Sequence, residues 1–408
     1  MNKILILTQY FPPEIGAPQA RLSEMALYLN EFGLQVEVLT ALPNYPKGKV
    51  FDGYKGRKFL IEDFKGIRVV RTFLYPTKSA NILKRLICYF SFVLSSYFIG
   101  KKYCQKPDLI YMESPPLFLG YSLLKLSKYW NVPYVLNLSD LWPDAFVTLG
   151  KLKKNSIQYK LMKNLEKKLY KNAAGITCQT NGILEEVKKI VPEKEIELIT
   201  NGVEVEKFGN FLRCENLRKE FGWDGKFVLV YTGLHGVSQG LDQIVKVADQ
   251  IKEKEDIFFS LIGDGPEKEK LIKMAKEKKL KNIQFFPLQK REKIPEILAS
   301  AEVALIPLAV NFKEAVPSKT YEAMASGIPL ISISEGEVSK LVEDFQMGLT
   351  VPPQDIVSLK EKILYLYENE DKRLEFGKNA RKSAENFYDR RKISKKLHDF
   401  FMKVYGRN

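Results

Sequence analysis

The chain runs through one grammar twice: a short apolar run, a loop, an amphipathic helix, then another apolar run. In the first copy Ile4–Thr8 stops at Pro12-Pro13. Leu22, Met25, Ala26, Leu29 and Phe32 then recur at helical spacing, Gly33 closes that segment, and Val36–Thr40 begins a second strand. Strand, loop, helix and strand in so short a stretch predict the opening βαβ unit of a parallel sheet. Further strands are expected at Leu109–Met112, Tyr134–Leu138, Gly175–Cys178 and Glu197–Ile199. The grammar restarts after residue 225, with strands at Phe227–Tyr231, Phe258–Ile262, Ile283–Phe286, Val303–Ile306 and Leu330–Ile333. The class this predicts is α/β: two doubly wound domains, residues 1–205 and 206–385, hinged near residues 201–210. A basic helix, residues 386–408, is expected to cross back onto the first domain. Open sheets of this kind bind ligands at the loops beyond the carboxyl ends of their strands.

Composition narrows the class without choosing a function. The 408 residues, 45% hydrophobic, can bury two or three cores, and 28% charge excludes disorder and low complexity. Met1-Asn2-Lys3 leads into a strand rather than a cleavable leader, and no apolar run approaches the ~20 residues of a spanning helix. A soluble cytoplasmic protein is expected. Four scattered cysteines without a CxxC pair and only two histidines, His235 and His398, argue against a disulfide frame and a metal cluster. Residues 1–200 carry 29 Lys+Arg against 17 Asp+Glu, whereas residues 201–408 are nearly balanced at 35 against 32. The basic half suits an anionic surface or substrate; a lysine-rich proteome would produce the same bias.

The most informative loop is Glu314-Ala-Val-Pro-Ser-Lys-Thr-Tyr-Glu322, followed by Ala-Met-Ala-Ser-Gly327-Ile-Pro329. Pro317 and Ser318 suit a helix start, and Gly327 with Pro329 its end. N–H groups at Ser318, Lys319 and Thr320 would form an anion site on the positive end of the helix, with the Lys319 ammonium beside it. Glu322, one turn on, could accept paired hydrogen bonds from a ribose diol, and Glu314 could reach beyond the phosphates. A short solvated helix is the plainer alternative, but capping does not account for Glu322, because the capping-box position is Tyr321.

Glu, seven residues, then Glu, with a small-residue helix and Gly-x-Pro, resembles the signature of retaining GT-B glycosyltransferases of the family 4 type. The Pro-Pro-Glu-Ile-Gly16 loop, Asn201-Gly202-Val203, Gly263-Asp264-Gly265-Pro266 and Ile283–Leu288 follow in that family's order. Phe11–Arg21, Leu42–Pro46, Asp140–Asp144 and Gly233–Leu241 are similar to a narrower subgroup of O-antigen, colanic acid and capsule enzymes that includes N-acetyl-L-fucosamine transferases. The resemblance implies that Glu322 holds the nucleotide ribose, that Ser318, Lys319 and Thr320 hold the diphosphate, and that Glu314 contacts the donor sugar. It also implies base recognition by the main chain near Leu288, and a close approach of Gly16 to the donor phosphates; an ordinary turn glycine is the other reading of Gly16.

Two departures stand out. The wider family places an Arg and a Lys in the loop after the second domain's first strand, where this chain has His235 and Gln239. The leaving-group charge would then rest on helix N–H groups, Lys319 and a protonated His235, unless His235 is a plain hydrogen-bond donor. Many relatives carry His-Asp where this chain has Ser139-Asp140; Asp140 and Asp144 are expected to bind the acceptor or assist proton transfer, or else simply to form a turn. No Asp-x-Asp occurs, so the expected chemistry needs no metal and no cofactor beyond the nucleotide-sugar, UDP by resemblance.

Residues 86–100 are uncharged and flanked by Lys84-Arg85 and Lys101-Lys102, and residues 51–106 hold twelve basic and three acidic side chains. As a helix this run would be ~22 Å long, too short to span. It would either lie in an anionic membrane interface or be buried in the first domain. The expected function is therefore sugar transfer to a polyprenyl-diphosphate-linked glycan by a peripheral enzyme at the inner face of the cell membrane. The alternatives are a non-catalytic membrane or nucleic-acid binder using the basic half, and a nicotinamide-dependent dehydrogenase. The first lacks any recognisable stacking-aromatic module, and the second lacks Gly-x-Gly-x-x-Gly.

Overall fold

The computed structural model describes residues 1–406 except 80, 149, 210–212, 310–312 and 315. The chain forms two units, Met1–Thr200 with Arg391–Asn408, and Asn201–Arg390.

The first unit is built on one sheet of β1 (Lys3–Leu7), β2 (Gln35–Ala41), β3 (Phe59–Phe64), β4 (Ile67–Thr72), β5 (Leu109–Ser114), β6 (Tyr134–Leu138), β7 (Gly175–Cys178) and β8 (Ile196–Leu198). Their spatial order is β3-β4-β2-β1-β5-β6-β7-β8, parallel throughout except for β3 against β4. Strand β1 is apolar from Ile4 to Leu7 because both faces are covered there. Ile4 and Ile6 pack with Leu22, Met25 and Leu29 of α1 (Ala17–Glu31) and with Leu397, Phe400 and Phe401 of the Arg390–Tyr405 helix. Leu5 and Leu7 face the opposite way, into a core shared with Phe92 of α2 (Ile82–Tyr103) and with Leu123 and Leu126 of α3 (Gly120–Trp130).

The antiparallel β3–β4 pair was not expected from the sequence, and it changes the meaning of part of the basic charge. Arg71 on β4 is fully buried, paired with Glu62 of β3 at 2.5 Å, while Arg68 pairs with Glu37 of β2. Both cations stitch strands together, and Arg71 presents no surface to an anion. Helix α2 also departs from expectation. It runs for 22 residues, because the flanking lysines continue it, and it is long and apolar enough by length and composition to cross a membrane. Cys88, Phe92, Val93, Ser96 and Gly100 are buried on one side of it, but Leu83, Ile87, Phe90, Leu94 and Phe98 on the other are exposed.

The second unit carries β9 (Phe227–Leu234), β10 (Ile257–Asp264), β11 (Ile283–Phe286), β12 (Val303–Pro307), β13 (Leu330–Ile333) and β14 (Gly348–Val351), all parallel, in the order β11-β10-β9-β12-β13-β14. Alternate residues again feed two cores, Val228 and Val230 into one, Leu229 and Tyr231 into the other. The strand order reverses between β1 and β5 in the first unit and between β9 and β12 in the second. Those are the crevices at which open α/β sheets bind ligands.

Candidate functional site

In the second unit the sequence-predicted residues collect on the loops leaving β9, β10, β11 and β12. The helix Ser318–Ala325 follows β12, starting immediately after Pro317. Its first turn closes with the Thr320 N–H donating to the Pro317 carbonyl at 3.0 Å, and Thr320 is fully buried, so Ser318 and Lys319 are the residues that head the helix toward solvent. Lys319 is half-buried, and its Nζ lies 3.7 Å from the centroid of the Tyr231 ring on β9. The Tyr231 hydroxyl in turn donates to the Leu234 carbonyl at 2.7 Å, fixing the ring as a platform. Gly233 (φ +134°) stands beside this contact, where a Cβ would come to 3.0 Å of the ammonium. Desolvation pushes the Lys319 ammonium down to about 7, against the opposing pull of Glu322.

Glu322, one turn further on, is half-buried, and no described group donates a hydrogen bond to its carboxylate. Burial raises its pKa while Arg291, Lys319 and Arg390 act to lower it. Glu314 is an exposed turn residue. Its neighbour Lys313 is anchored by the Glu337 N–H, which donates to the Lys313 carbonyl at 2.8 Å, and by an ion pair with Glu335 at 3.0 Å. Leu288 is exposed beyond β11.

His235 differs from the expectation of a phosphate-facing cation. Its ring is wholly buried near Tyr231 and Phe285, with neither nitrogen hydrogen-bonded to a described group. Burial, with Lys268 and Lys319 nearby, lowers its pKa to about 4, so it is neutral at physiological pH. Its backbone does the work: the His235 N–H donates to Asp264 and its carbonyl accepts from Glu267, at 2.8 and 2.9 Å, locking the loops after β9 and β10 together. Gly263 (φ +154°) is required there, since a Cβ would overlap the Gly233 carbonyl oxygen. Gln239 ends a short 3-10 turn, and its Oε1 has no partner among the described groups. Lys268 was missed in the sequence. Its ammonium donates to the Gly263 and Phe286 carbonyls at 2.7 and 2.8 Å, tying the β10 and β11 loops.

In the first unit Gly16 caps α1 in an extended conformation that other residues adopt, and a Cβ there would first meet the Gln19 side chain. The organising residue of that loop is Glu14, which the sequence reading passed over. It is buried and accepts from Gln19, from both the backbone and side chain of Asn44, and from the backbone of Tyr45. Asp140 is exposed, with an oxygen accepting from the Leu141 N–H at 2.9 Å; Asp144 is engaged by Tyr159 at 2.8 Å and Lys163 at 2.9 Å. Behind them lies a buried polar cluster at the carboxyl ends of β5, β6 and β7. Arg21 pairs with Glu113 at 2.6 Å, Asn137 and Ser139 donate to Glu113, and Gln179 donates to Ser139 at 2.7 Å. Ser139, which stands where relatives carry His, is thus the hub of this cluster. Among the described residues no three His, Cys, Asp or Glu side chains converge as a metal site.

Comparison with known proteins follows this division. Residues 19–207 match the model of Glycosyltransferase Family 4, and residues 214–383 that of Glycosyl transferases group 1. The chain is 29% identical over 369 residues to WcaI of Escherichia coli, named as a colanic acid biosynthesis glycosyl transferase, covering 88% of this chain and 90% of that protein. Among solved structures it superposes on sucrose-phosphate synthase from Thermosynechococcus elongatus with TM-score 0.79 at 17% identity, over the whole of both chains. It also superposes on Anabaena HepE in complex with UDP with TM-score 0.72 at 16% identity, over 98% of this chain and 100% of that one. The two matches lie side by side, one over most of each sheet, and the chain accordingly belongs with the group 1/family 4 glycosyltransferases of GT-B fold.

Proposed function

We propose that the chain transfers a sugar from a UDP-sugar to a polyprenyl-diphosphate-linked glycan in surface polysaccharide assembly, with retention of configuration and without a metal. The observation that carries this reading is the pairing of Lys319 and Glu322 at the crevice between β9 and β12: a cation at a helix N-terminus for the diphosphate, and a carboxylate one turn on for the ribose. A UDP-bound neighbour of the same fold and a relative named for colanic acid biosynthesis support the choice of nucleotide and pathway class. UDP-N-acetyl-L-fucosamine is the first donor to try, from the subgroup resemblance.

In the reaction so inferred, the acceptor hydroxyl attacks C1 on the face from which the diphosphate leaves, and the departing phosphate oxygen takes the hydroxyl proton. Lys319 and the N–H groups heading its helix stabilise the charge that develops on the leaving group. His235, being neutral and buried, shapes the loop and adds no charge. With the Lys319 cradle in place, the diphosphate does not call for a cation held by carboxylates. The acceptor is assigned to the loops of the first unit around Asp140, and the enzyme to the inner face of the cell membrane.

The test is a panel of UDP-sugars with a polyprenyl-diphosphate-linked acceptor in excess chelator. Transfer from one UDP-sugar, with the anomeric configuration of the product matching the donor by NMR, supports the proposal. Inversion, strict metal dependence, or transfer only from a non-uridine donor each overturns the corresponding part.

A further inference from the structure

We propose that the exposed faces of α2 and α3 form a docking surface for an anionic lipid bilayer, with α2 lying in the plane of the interface. The inference deepens the functional reading above, on which its biological meaning rests, but its physical argument is separate.

Leu83, Ile87, Phe90, Leu94 and Phe98 are spaced by four, three, four and four residues, one stripe along a helix, and each is exposed, Leu83 by 67% and Phe98 by 62%. Surface helices of water-soluble domains ordinarily turn charge outward, opposite the buried side. Here the face opposite the buried Cys88, Phe92, Ser96 and Gly100 is apolar as well. The stripe is broadened by α3, which runs alongside in the same direction. Phe90 lies beside Tyr121 with ring centroids 6.3 Å apart, Lys125 sits 5.2 Å from the Tyr97 ring, and Lys101 sits 4.4 Å from the Tyr129 ring. Tyrosine rings and lysine stems beside apolar side chains are what the headgroup layer accommodates.

Charge selects the occupant. Lys84 and Arg85 stand at one end of the stripe, Lys101 and Lys102 at the other, and Lys125 and Lys128 along α3, all exposed. No Asp or Glu occurs between Asp63 and Asp108, or between Glu113 and Asp140. A second copy of this chain would bring the same cations against one another, whereas a surface of anionic headgroups neutralises them.

Length alone would let α2 cross a bilayer, since 22 residues extend ~33 Å. Its inner face forbids this. Ser96 donates to the buried Ser122 at 2.9 Å, Ser95 bonds Thr72 at 3.0 Å, and Gly100 admits the Leu39 side chain where a Cβ would meet it at 2.6 Å. Pulling α2 into the hydrocarbon lengthwise would break these contacts with the sheet and with α3, so only the outer stripe is available to lipid.

The experiment is co-sedimentation of the full chain with vesicles of phosphatidylcholine alone or with one-third phosphatidylglycerol, with UDP binding and thermal unfolding followed on the same samples. Three proteins are compared: wild type, Leu94→Glu/Phe98→Glu, and Lys84→Gln/Arg85→Gln/Lys101→Gln/Lys102→Gln. Wild type is expected to bind the anionic vesicles selectively. The apolar double variant should lose binding at least tenfold, and the quadruple variant about fivefold per cation removed, with thermal unfolding and UDP binding unchanged. Equal binding to neutral and anionic vesicles, or indifference to both variants, overturns the proposal. So does a wild-type dimer, abolished by Leu94→Glu/Phe98→Glu, that ignores vesicles. Vesicle binding without UDP binding would leave this surface standing and remove the functional reading instead.

Discussion

The carboxylate of Glu14 accepts the backbone N–H of Asn44 at 2.7 Å, joining the loop that leaves β1 to the loop that leaves β2. The same oxygen takes the Tyr45 N–H at 2.8 Å, and Arg71 reaches the first loop at the Pro12 carbonyl. Two of the four segments that resemble the narrower glycosyltransferase subgroup, Phe11–Arg21 and Leu42–Pro46, are therefore one structural object. Glu14→Ala should strand the buried Asn44 N–H and remove the acceptor of the Tyr45 N–H, while the Asn44 side-chain amide keeps the Leu42 carbonyl. It is expected to cost ~2–3 kcal/mol in urea unfolding of the first unit, with Glu14→Gln milder because one acceptor survives. An unchanged midpoint would show that the loops are held by other contacts.

Lys319 should make nucleotide binding pH-dependent. Its ammonium is pushed down to about 7, and a diphosphate favours the charged form, so binding takes up a proton at pH 8. UDP affinity is expected to fall as pH rises through 7 to 9, and calorimetry in buffers of different ionisation heat should report the uptake. Lys319→Arg should flatten the slope, and Lys319→Ala should both flatten it and weaken binding by ~10–100-fold. For stability the sign is opposite: between about 7 and the ordinary 10.5 the unfolded chain holds the extra proton, so this group alone makes the fold more stable as pH rises across that window.

Glu322 and Glu314 should separate in kinetics. Glu322→Ala is expected to weaken UDP binding by ~10-fold or more through lost ribose hydrogen bonds, and a 2′-deoxy nucleotide should lose little further in that variant. Glu314→Ala should instead lower turnover with little effect on UDP affinity. If both variants lose affinity equally, the division between ribose and donor-sugar contacts is wrong.

The Arg21–Glu113 pair offers a stability test with a built-in control. Both side chains are almost fully buried, so Arg21→Met alone leaves a carboxylate uncompensated and should cost ~3–5 kcal/mol. Arg21→Met/Glu113→Gln should recover much of that loss, and the coupling follows from a double-mutant cycle on urea midpoints.

Much of this was legible in the sequence because it is local. The βα alternation marks the central strands, and the Glu314–Glu322 spacing with Pro317 and Gly327 marks the helix that carries Lys319. What escaped was non-local. Phe59–Phe64 is an edge strand, and its Glu62 acquires its role only when Arg71 arrives on β4. Glu14, Glu113 and Lys268 have ordinary neighbours in the chain, and their partners lie tens of residues away or on another loop. His235 was visible with a charged and an uncharged reading both open, since no pattern in a glycine-rich loop reveals that its ring is buried.

The Arg390–Tyr405 helix has a consequence for how the molecule is made. Its Leu397, Phe400 and Phe401 fill the same core as Ile4 and Ile6, yet the whole of the second unit is translated between them. As the nascent polypeptide leaves the ribosome, residues 201–390 can fold from contiguous chain, while the α1 side of the first sheet stays incomplete until the final turns emerge. Until then the part of that apolar sheet face not covered by α1 is bare, and chaperone occupancy and premature truncation should both act on that interval.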